Sequence, residues 1–486
     1  MGAGPVGLWL AHELGLAGVS VLVLERDTQR SPHSKALGIH PRTVEVLAMR
    51  GRHRDIKAAG RPLPSWHFGM LESRVDLGGL DTPFPYLLAY PQAATEALLE
   101  QYATDVGAVV RRGHTVTNAV PGPFAVTLEV SGPDGDHVLR PDYVVGCDGA
   151  GSTVRRAAGI PFPGTDATAY GFLGEVVLDT PPAPGFAAHT AGGHLIVVPL
   201  GGDMYRVTGY DPLNQDAHQG PLTMEELRET TQRLAGTDFG MHHPVWLSRF
   251  GNATRVASAY RHGRILLAGD AAHMHFPAGG VGLNVGIQDA MNLGWKLAAV
   301  VQKRAHPDLL DSYHGERHPV GLDLAENALA QTALITGLGP EVRALRRFLS
   351  KAVDAAPDFS RLIARTLSAL DVAYRPASPD AHALVGTRAH DAEGEGILPL
   401  LHDGRPVLLT DAEGTLAPEV RAQAAQRGIA VHASRLPLTG GAQWSGVTAA
   451  VLRPDGHVWW ATEQRPEGAG FGGMVCTALQ RLPATF

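Results

Sequence analysis

The chain opens MGAGPVGLWLAHELGLAGVSVLVLERD, and few openings leave a chain so little freedom of fold. Gly2, Gly4 and Gly7 form G-x-G-x-x-G; Gly7, Leu10, Ala11 and Leu14 fall on one helical face, and Gly18 ends that helix. Val19 to Leu24 then reads as a buried parallel strand finishing at Glu25. Glycines at this spacing let the turn tighten and a pyrophosphate approach the helix start, while the acid after the strand takes ribose hydroxyls. The expected fold class is therefore α/β, with a Rossmann-like dinucleotide domain at the amino end. Such a unit has its central strand before the first glycine, where only Met1 stands. Burying the aliphatic side chains of that strand is worth about 1.5–3 kcal/mol each, against a net domain stability of about 5–15 kcal/mol. The working protein is accordingly expected to carry further residues ahead of Met1.

A second stretch, ILLAGDAAHMHFPAGGVGLNVGIQDAMNLGWKLAAVV from Ile265 to Val301, repeats the strand–glycine–helix theme. Ile265 to Ala268 reads as a short buried strand, and Gly269-Asp270 places a carboxylate at its end. Pro277 and the glycines at 279, 280 and 282 let the backbone approach a flat ligand. A helix is expected from about Leu283, with Ala290, Leu293, Leu297 and Val300 as one apolar stripe. Asp289 near its start and Lys303 with Arg304 at its end suit the helix dipole. Such a loop offers unpaired N–H groups to an electron-rich ligand.

Between the two lies HSKALGIHPRTVEVLAMRG, a loop leading into a helix around Arg42 to Met49. Lys35 and Arg42 are either cations near a phosphate site or part of a solvated basic face. Gly60 to Tyr90 suggests short strands over a cavity, and Pro91 to Ala108 a helix with Ala94, Leu98 and Tyr102 on one side. Gln92 stands at its start, where its amide either reaches a ligand or caps the helix. Strands follow from Val109 to Val130 with a Pro133-Asp134-Gly135 turn. In DYVVGCDGAGSTVRRAAGI, Tyr143 to Gly146 is a strand, Asp148-Gly149 a second acid–glycine turn, and Ser152 to Ala158 a helix start. Phe162 to Ser258 alternates as an antiparallel sheet of the kind that walls a substrate cavity. The chain is helical from Tyr313 to about Leu370, and Pro376 and Pro379 mark a linker. Beyond it GRPVLLT, Pro418 to Arg427, GIAVHAS, a hairpin around Pro454-Asp455-Gly456 and a last helix from Gly473 to Arg481 make a small βαβ-type domain.

Other chemistries find little support. A net charge of -7 argues against a nucleic-acid partner. Two cysteines, Cys147 and Cys476, with no CxxC, give neither a disulfide framework nor thiol redox chemistry, so a cytoplasmic protein is expected. No apolar run approaches the roughly 18 residues of a membrane span. His273 and His275 lack a third ligand at suitable spacing, so no metal is expected. Neither a GxSxG elbow nor a GxxxxGK[ST] loop occurs.

Taken together, GAGPVG with Glu25, CDGAGSTVR and GDAAHMHFPAGGVGLN resemble the single-component FAD-dependent aromatic hydroxylases of the para-hydroxybenzoate hydroxylase fold, over roughly residues 2 to 330. The chain is most similar to the branch acting on phenols, aromatic polyketides and rifamycin-type antibiotics, whose members often end in a thioredoxin-like domain without a dithiol. The resemblance implies an FAD-dependent module over 1–378, with FAD-contacting stretches near 1–60, 90–160 and 260–300. It implies a substrate sheet over 61–90 and 161–258, a helical segment over 300–370, and a thioredoxin-like domain over 379–486. By motif, Gly2, Gly4, Val6 and Gly7 would lie at the pyrophosphate, Glu25 and Arg26 at the adenosine ribose. Gln92, Val116 and Thr153 fall where the family touches FAD. Lys35 stands where the family usually has arginine and lacks its planar fork. Asp270 would bond the ribityl chain, with Gly282, Leu283 and Asn284 along the flavin. The implied reaction uses NAD(P)H and O2 to hydroxylate a phenolic or polycyclic aromatic compound through a flavin hydroperoxide, with no side chain obliged to be a nucleophile. Arg206, in the inserted sheet, is a candidate for substrate or nicotinamide contact, or a charge on a surface strand. A homodimer is possible within this class.

Two other functions share parts of this pattern. A flavin-dependent halogenase has the same opening turn, but the WxWxIP stretch of that family is missing here; the only adjacent tryptophans are Trp459 and Trp460. A non-catalytic protein that sequesters an aromatic ligand would bind without turnover.

Overall fold

The computed structural model describes residues 1–215, 220–391, 396–410, 416–433, 444–464 and 470–482. The opening helix spans Pro5–Leu16, entered through Gly4, which caps it with no side-chain hydrogen bond, and Pro5, whose missing N–H costs nothing at this position. From Pro5 to Leu14 every residue but Val6 is buried. The one-faced helix expected from Gly7, Leu10, Ala11 and Leu14 is thus a helix buried nearly all round, with His12 and Glu13 in the core.

The parallel sheet lies in two halves. Leu22–Glu25 pairs with Val109–Arg112, and Val144–Gly146 pairs with Ile265–Leu267. Met1 and Gly2 fill the lane between them. The Met1 amino group donates to the Val145 carbonyl at 2.8 Å and the Met1 carbonyl accepts from Cys147 N at 2.8 Å, while Gly2 N reaches the Leu24 carbonyl at 2.9 Å. The strand expected over Val19 to Leu24 spans Leu22–Glu25, and Leu22 is exposed.

The late helix spans Gly282–Val301 and is buried on every side from Asn284 to Val300, so the expected single apolar stripe is corrected too. It packs on the opening helix and the helices Pro41–Ala48 and Asp311–Thr336, and Asn284, Asp289 and Lys296 along it find partners inside. The helix Gln92–Asp105 buries Thr95, Glu96, Leu99, Tyr102 and Ala103, a face turned from the one expected, with Ala94 and Leu98 only half-buried.

Residues 170–251 form a five-stranded antiparallel sheet in the order Ala187–Thr190, Gly193–Gly201, Met204–Tyr210, Tyr170–Leu178, Met241–Gly251. One face packs Val176, Leu195, Val197 and Val207 under Leu227 and Leu234 of the helix Met224–Ala235. Side chains alternate along a strand, so the other face carries His194, Arg206 and Tyr210. Arg206 bonds the Ser34 carbonyl, so that face looks at the nucleotide module.

At the carboxyl end four strands run in the order Ala430–Ala433, Val407–Thr410, Ala449–Leu452, Val458–Thr462. The first pair is parallel and the other two antiparallel, and the helices Pro418–Gln426 and Phe471–Gln480 pack on one another. Ser434, expected to end the second strand of this unit, lies outside the described residues. The turn Arg453–His457, at the expected hairpin, is buried against the late helix.

Candidate active site

Three acid-bearing turns meet at the carboxyl ends of the parallel strands, the place where open α/β sheets bind ligands. Glu25 follows Leu22–Glu25, Asp148 follows Val144–Gly146, and Asp270 follows Ile265–Leu267. The turns touch. A Cβ on Gly2 would stand 2.3 Å from the Cys147 carbonyl oxygen, and one on Gly7 2.0 Å from that of Gly2, so both positions need glycine for backbone packing. Val6 packs its methyls on Gly269 and Gly286, where added Cβ atoms would stand 2.9 and 2.5 Å from it. Gly4 differs: a Cβ there would meet nothing within 4 Å, and its φ of -78° suits any residue. Fold packing does not explain that glycine, whereas close approach of a ligand to the helix start does.

Two of the acids are placed by hydrogen bonds to neighbouring residues. Glu25 accepts from Ala3 N at 2.7 Å and Asp27 N at 3.0 Å. Asp148 accepts from Ser152 Oγ at 2.5 Å and Thr153 N at 2.8 Å, which starts the short helix Thr153–Ala157. Asp270 is exposed at the strand end. Arg26 is also exposed, 3.7 Å from Asp27. The late helix, like the opening one, begins without a side-chain cap, after Gly279 and Gly280 at φ 71° and 69°. Two glycine-led helix starts therefore present N–H groups and partial positive charge at one end of the sheet.

Gln92 and Asn284 act as clamps. Gln92 Oε1 accepts from Ala36 N at 3.0 Å, its own N–H donates to the Ala36 carbonyl at 2.9 Å, and its Nε2 donates to Glu96 at 2.8 Å. Through these bonds its amide holds the loop that carries Lys35. Asn284, buried, accepts from His40 N at 2.8 Å and donates to the carbonyls of Gly38 at 3.2 Å and Gly280 at 3.0 Å. Leu283 and Gly282 are half-buried beside it. Val116 places its side chain in the core.

Two cations stand elsewhere than expected. Arg42 is buried, paired with Glu45 at 2.8 Å and bonded to the Asp455 carbonyl at 2.9 Å, so it braces the carboxyl-terminal turn instead of a phosphate. Arg206 is no surface charge either. It is 4% exposed, is paired with Glu175 and bonds the Ser34 carbonyl. Burial pulls its guanidinium below the ordinary value against the opposing pull of Glu175.

The sequence reading missed the group beneath the third turn. Asp289, assigned above to the helix dipole, is wholly buried well inside the late helix. It accepts from Gly269 N at 3.1 Å, His273 Nε2 at 2.7 Å and Arg317 Nε at 2.7 Å. Burial pushes its carboxyl upward, but Arg317 and His273 outweigh that and hold it below the usual range. An acid well inside a helix otherwise free of acids was the signal that could have found this triad. His273 is thereby tied to a carboxylate, and among the described residues no group of three or more His, Cys, Asp or Glu side chains could hold a metal. Arg155 also went unnoticed; it ties the second turn to the third through the Ala271 carbonyl at 3.0 Å.

A glycine cradle at an uncapped helix start, a ribose-ready acid and a second helix start across the sheet define an FAD-binding protein, and the known proteins agree. Residues 1–328 match the FAD binding domain family and residues 382–481 the family described as aromatic-ring hydroxylase, C-terminal. The chain is 44% identical over 476 residues to a Bacillus subtilis protein named an uncharacterized aromatic compound monooxygenase, YhjG, covering 95% of this chain and 93% of that one. It is 39% identical over 496 residues to the rifampicin monooxygenase of Streptomyces venezuelae, covering 100% and 98%. The solved structure of the anhydrotetracycline hydroxylase OxyS from Streptomyces rimosus superposes with a TM-score of 0.88 at 40% identity, covering 99% of this chain and 97% of that one. This chain belongs to the FAD-dependent aromatic hydroxylase family. It is a monooxygenase that hydroxylates aromatic compounds, with FAD as cofactor and NAD(P)H and O2 as cosubstrates.

Proposed function

We propose that the substrate is a phenolic or polycyclic aromatic compound of the aromatic-polyketide or antibiotic type, held between the five-stranded sheet and the FAD module. The observation that carries this reading is the contact of the opening glycine turn with the Asp148 and Asp270 turns at one end of the sheet, with Gly4 open where the fold does not need a glycine. Two of the proteins named above are a rifampicin monooxygenase and an anhydrotetracycline hydroxylase, and the substrate class is proposed by likeness to them.

When bound, FAD supplies the activation of O2 with electrons from NAD(P)H. The chain's residues bind and orient. Gly2, Gly4, Val6 and Gly7 would hold the pyrophosphate at the opening helix, Glu25 and Arg26 the adenosine ribose, and Asp270 the ribityl hydroxyls. Lys35 and Gln92 would hold the loop over the cofactor, with Val116 and Thr153 along its nucleotide half. The N–H groups at Gly282, Leu283 and Asn284 would face the flavin ring, where the helix start favours negative charge by about 0.3–1 kcal/mol. Arg206, through Ser34, fixes the sheet to that loop and so sets the width of the site, while the sheet keeps water from the reacting centre.

The carboxyl-terminal unit is proposed to be thioredoxin-like, on the strength of its strand order and flanking helices, within a division near residue 378. The protein is proposed to work in the cytoplasm; among the described residues no helix is long and apolar enough to cross a membrane. Exposed Leu345, Phe348 and Leu362 on the helices Pro340–Ala355 and Pro357–Ser368 favour a homodimer.

The test is purification followed by assay with a panel of phenolic and polycyclic aromatics. The expected result is a yellow protein whose NAD(P)H oxidation rises with one of them, giving a product heavier by one oxygen. Colourless protein that refuses added FAD would overturn the reading, and ligand binding without oxidation would favour a sequestering protein.

A further inference from the structure

The sheet face that looks at the FAD module carries a group of histidines to which no role has been given. His194 is paired across the strands with His189 on one side and Tyr210 on the other, with ring centroids 5.8 and 6.0 Å apart. It is 5% exposed, and its Nδ1 has no hydrogen-bond partner among the described residues. The same holds for both ring nitrogens of His189 and for Nδ1 of His67, both half-buried. His67 comes from a different segment, next to Trp66, whose indole N–H donates to the Gly279 carbonyl at 3.0 Å in the loop before the late helix. The histidines therefore stand between the sheet and the glycine loop assigned above to the flavin.

Their state follows from their surroundings. Burial pushes His194 down to about 3, with His189, Arg346 and His67 adding to the effect. Burial likewise takes His67 and His189 to about 4. All three rings are neutral at ordinary pH, each with one N–H and one bare nitrogen, able to donate and accept. Arg346 does not satisfy them. Its guanidinium is spent on the carbonyls of Gly69, Leu334 and Met70. Beside this polar group lie Phe250 and Phe276, ring centroids 5.4 Å apart, with Met70 and Ile335 as an apolar floor. Ring nitrogens out of water and without partners are costly to keep, so three such rings in one place mark a surface built to meet oxygen atoms.

We infer that His194, His189 and His67 form a neutral hydrogen-bonding edge that selects aromatic substrates carrying two or more hydroxyl or keto oxygens along one side, the ring itself resting on Phe250 and Phe276. This rests on the aromatic-substrate reading above and narrows it. Phenol hydroxyls donate to the bare ring nitrogens, and keto oxygens accept from the N–H groups. An unsubstituted ring would leave the histidines without partners, and a site built for hydrogen bonds rejects the analogue that lacks them.

The test uses the FAD-loaded full chain and two probes, a dihydroxyanthraquinone with both hydroxyls on one edge and unsubstituted anthraquinone. Binding is read from the change in flavin absorbance. The wild type should bind the dihydroxy compound at least tenfold more tightly, about tenfold being the worth of one net hydrogen bond near 1.4 kcal/mol. His194→Phe should erase most of that preference at unchanged flavin content, and His194→Asn, which keeps a donor and an acceptor, should restore part of it. Equal binding of the two probes by the wild type overturns the inference, whatever becomes of the variants. An unchanged preference in His194→Phe also overturns it. Wild-type protein that takes up no flavin would defeat the underlying reading and the inference with it, and that outcome is seen before any probe is added.

Discussion

Asp289→Ala removes an acceptor that three donors share. Asp289 takes Arg317 Nε at 2.7 Å on one oxygen, and His273 Nε2 at 2.7 Å with Gly269 N at 3.1 Å on the other. The side chains of Asp289 and Arg317 are both 0% exposed. After the substitution Arg317 keeps only the Val285 carbonyl at 3.2 Å and the Tyr374 hydroxyl at 3.4 Å, neither of them charged. Leaving one member of a buried pair behind costs about 3–5 kcal/mol, and the lost bond to Gly269 adds about 1 kcal/mol. Guanidinium unfolding followed by circular dichroism should show a loss of about 4–6 kcal/mol, and a flavin titration should show weaker FAD binding because the Asp270 turn is no longer tethered. Replacing the pair together, Asp289→Leu with Arg317→Met, removes both charges and should recover most of the stability. The acid limb gives an independent check. The Asp289 carboxyl titrates below its unfolded value near 3.9, so its contribution is complete above that pH and drains as pH falls through the folded value. The gap between wild type and Asp289→Ala should therefore shrink below about pH 4. A single variant within about 1 kcal/mol of wild type, or a double variant no more stable than the single, would refute the reasoning.

Gly4→Ala and Gly7→Ala should separate binding from folding. The first adds a Cβ with no heavy atom within 4 Å and should leave unfolding unchanged while FAD affinity falls at least tenfold; the second drives a Cβ to 2.0 Å from the Gly2 carbonyl and should destabilise the fold by about 1–3 kcal/mol. Asn284→Ala strands His40 N and two carbonyls and should cost about 1–3 kcal/mol in unfolding, with weaker flavin retention on dialysis. Burial pulls Lys296 down to about 8 against the pull of Glu316, so the unfolded chain binds the extra proton between pH 8 and about 10.4. Stability referred to Lys296→Met should rise across that window. Glu316 is pushed up by burial but brought to about 2 by Arg453 and Lys296; the stability it confers is complete above about pH 4.3 and should fade toward pH 2, which a Glu316→Gln comparison by thermal melts will show.

What could be read in advance was whatever backbone chemistry dictates. Gly2 and Gly7 are fixed by contact with neighbouring carbonyls, and Pro41, Ser152 and Pro418 mark helix starts through local geometry. Periodicity failed where a helix has no solvent side. The opening and late helices are enclosed, so hydrophobic spacing carried no information about which face mattered, and Asp289 was read only as a complement to the helix dipole. Arg42 and Arg206 could not be placed from the sequence because bonds that hold them reach far along the chain, to Asp455 for one and to Ser34 and Glu175 for the other. The Pro454-Asp455-Gly456 bend has the composition of an exposed turn, and only the three-dimensional neighbours reveal that it is enclosed. The histidine edge was invisible for the same reason, since His67, His189 and His194 share no spacing.

That enclosed bend has a practical side. Arg453 grips Glu316 through both carboxylate oxygens at 2.8 Å, Trp295 donates to Asp455 at 3.2 Å, and Arg50 joins Glu13 to the Pro454 carbonyl at 3.1 Å. The seam is keyed residue to residue. Chimaeras that exchange the last hundred or so residues between relatives will work only when both halves of each key travel together, so recombination within this family should respect the seam even where the linker looks like the natural place to cut.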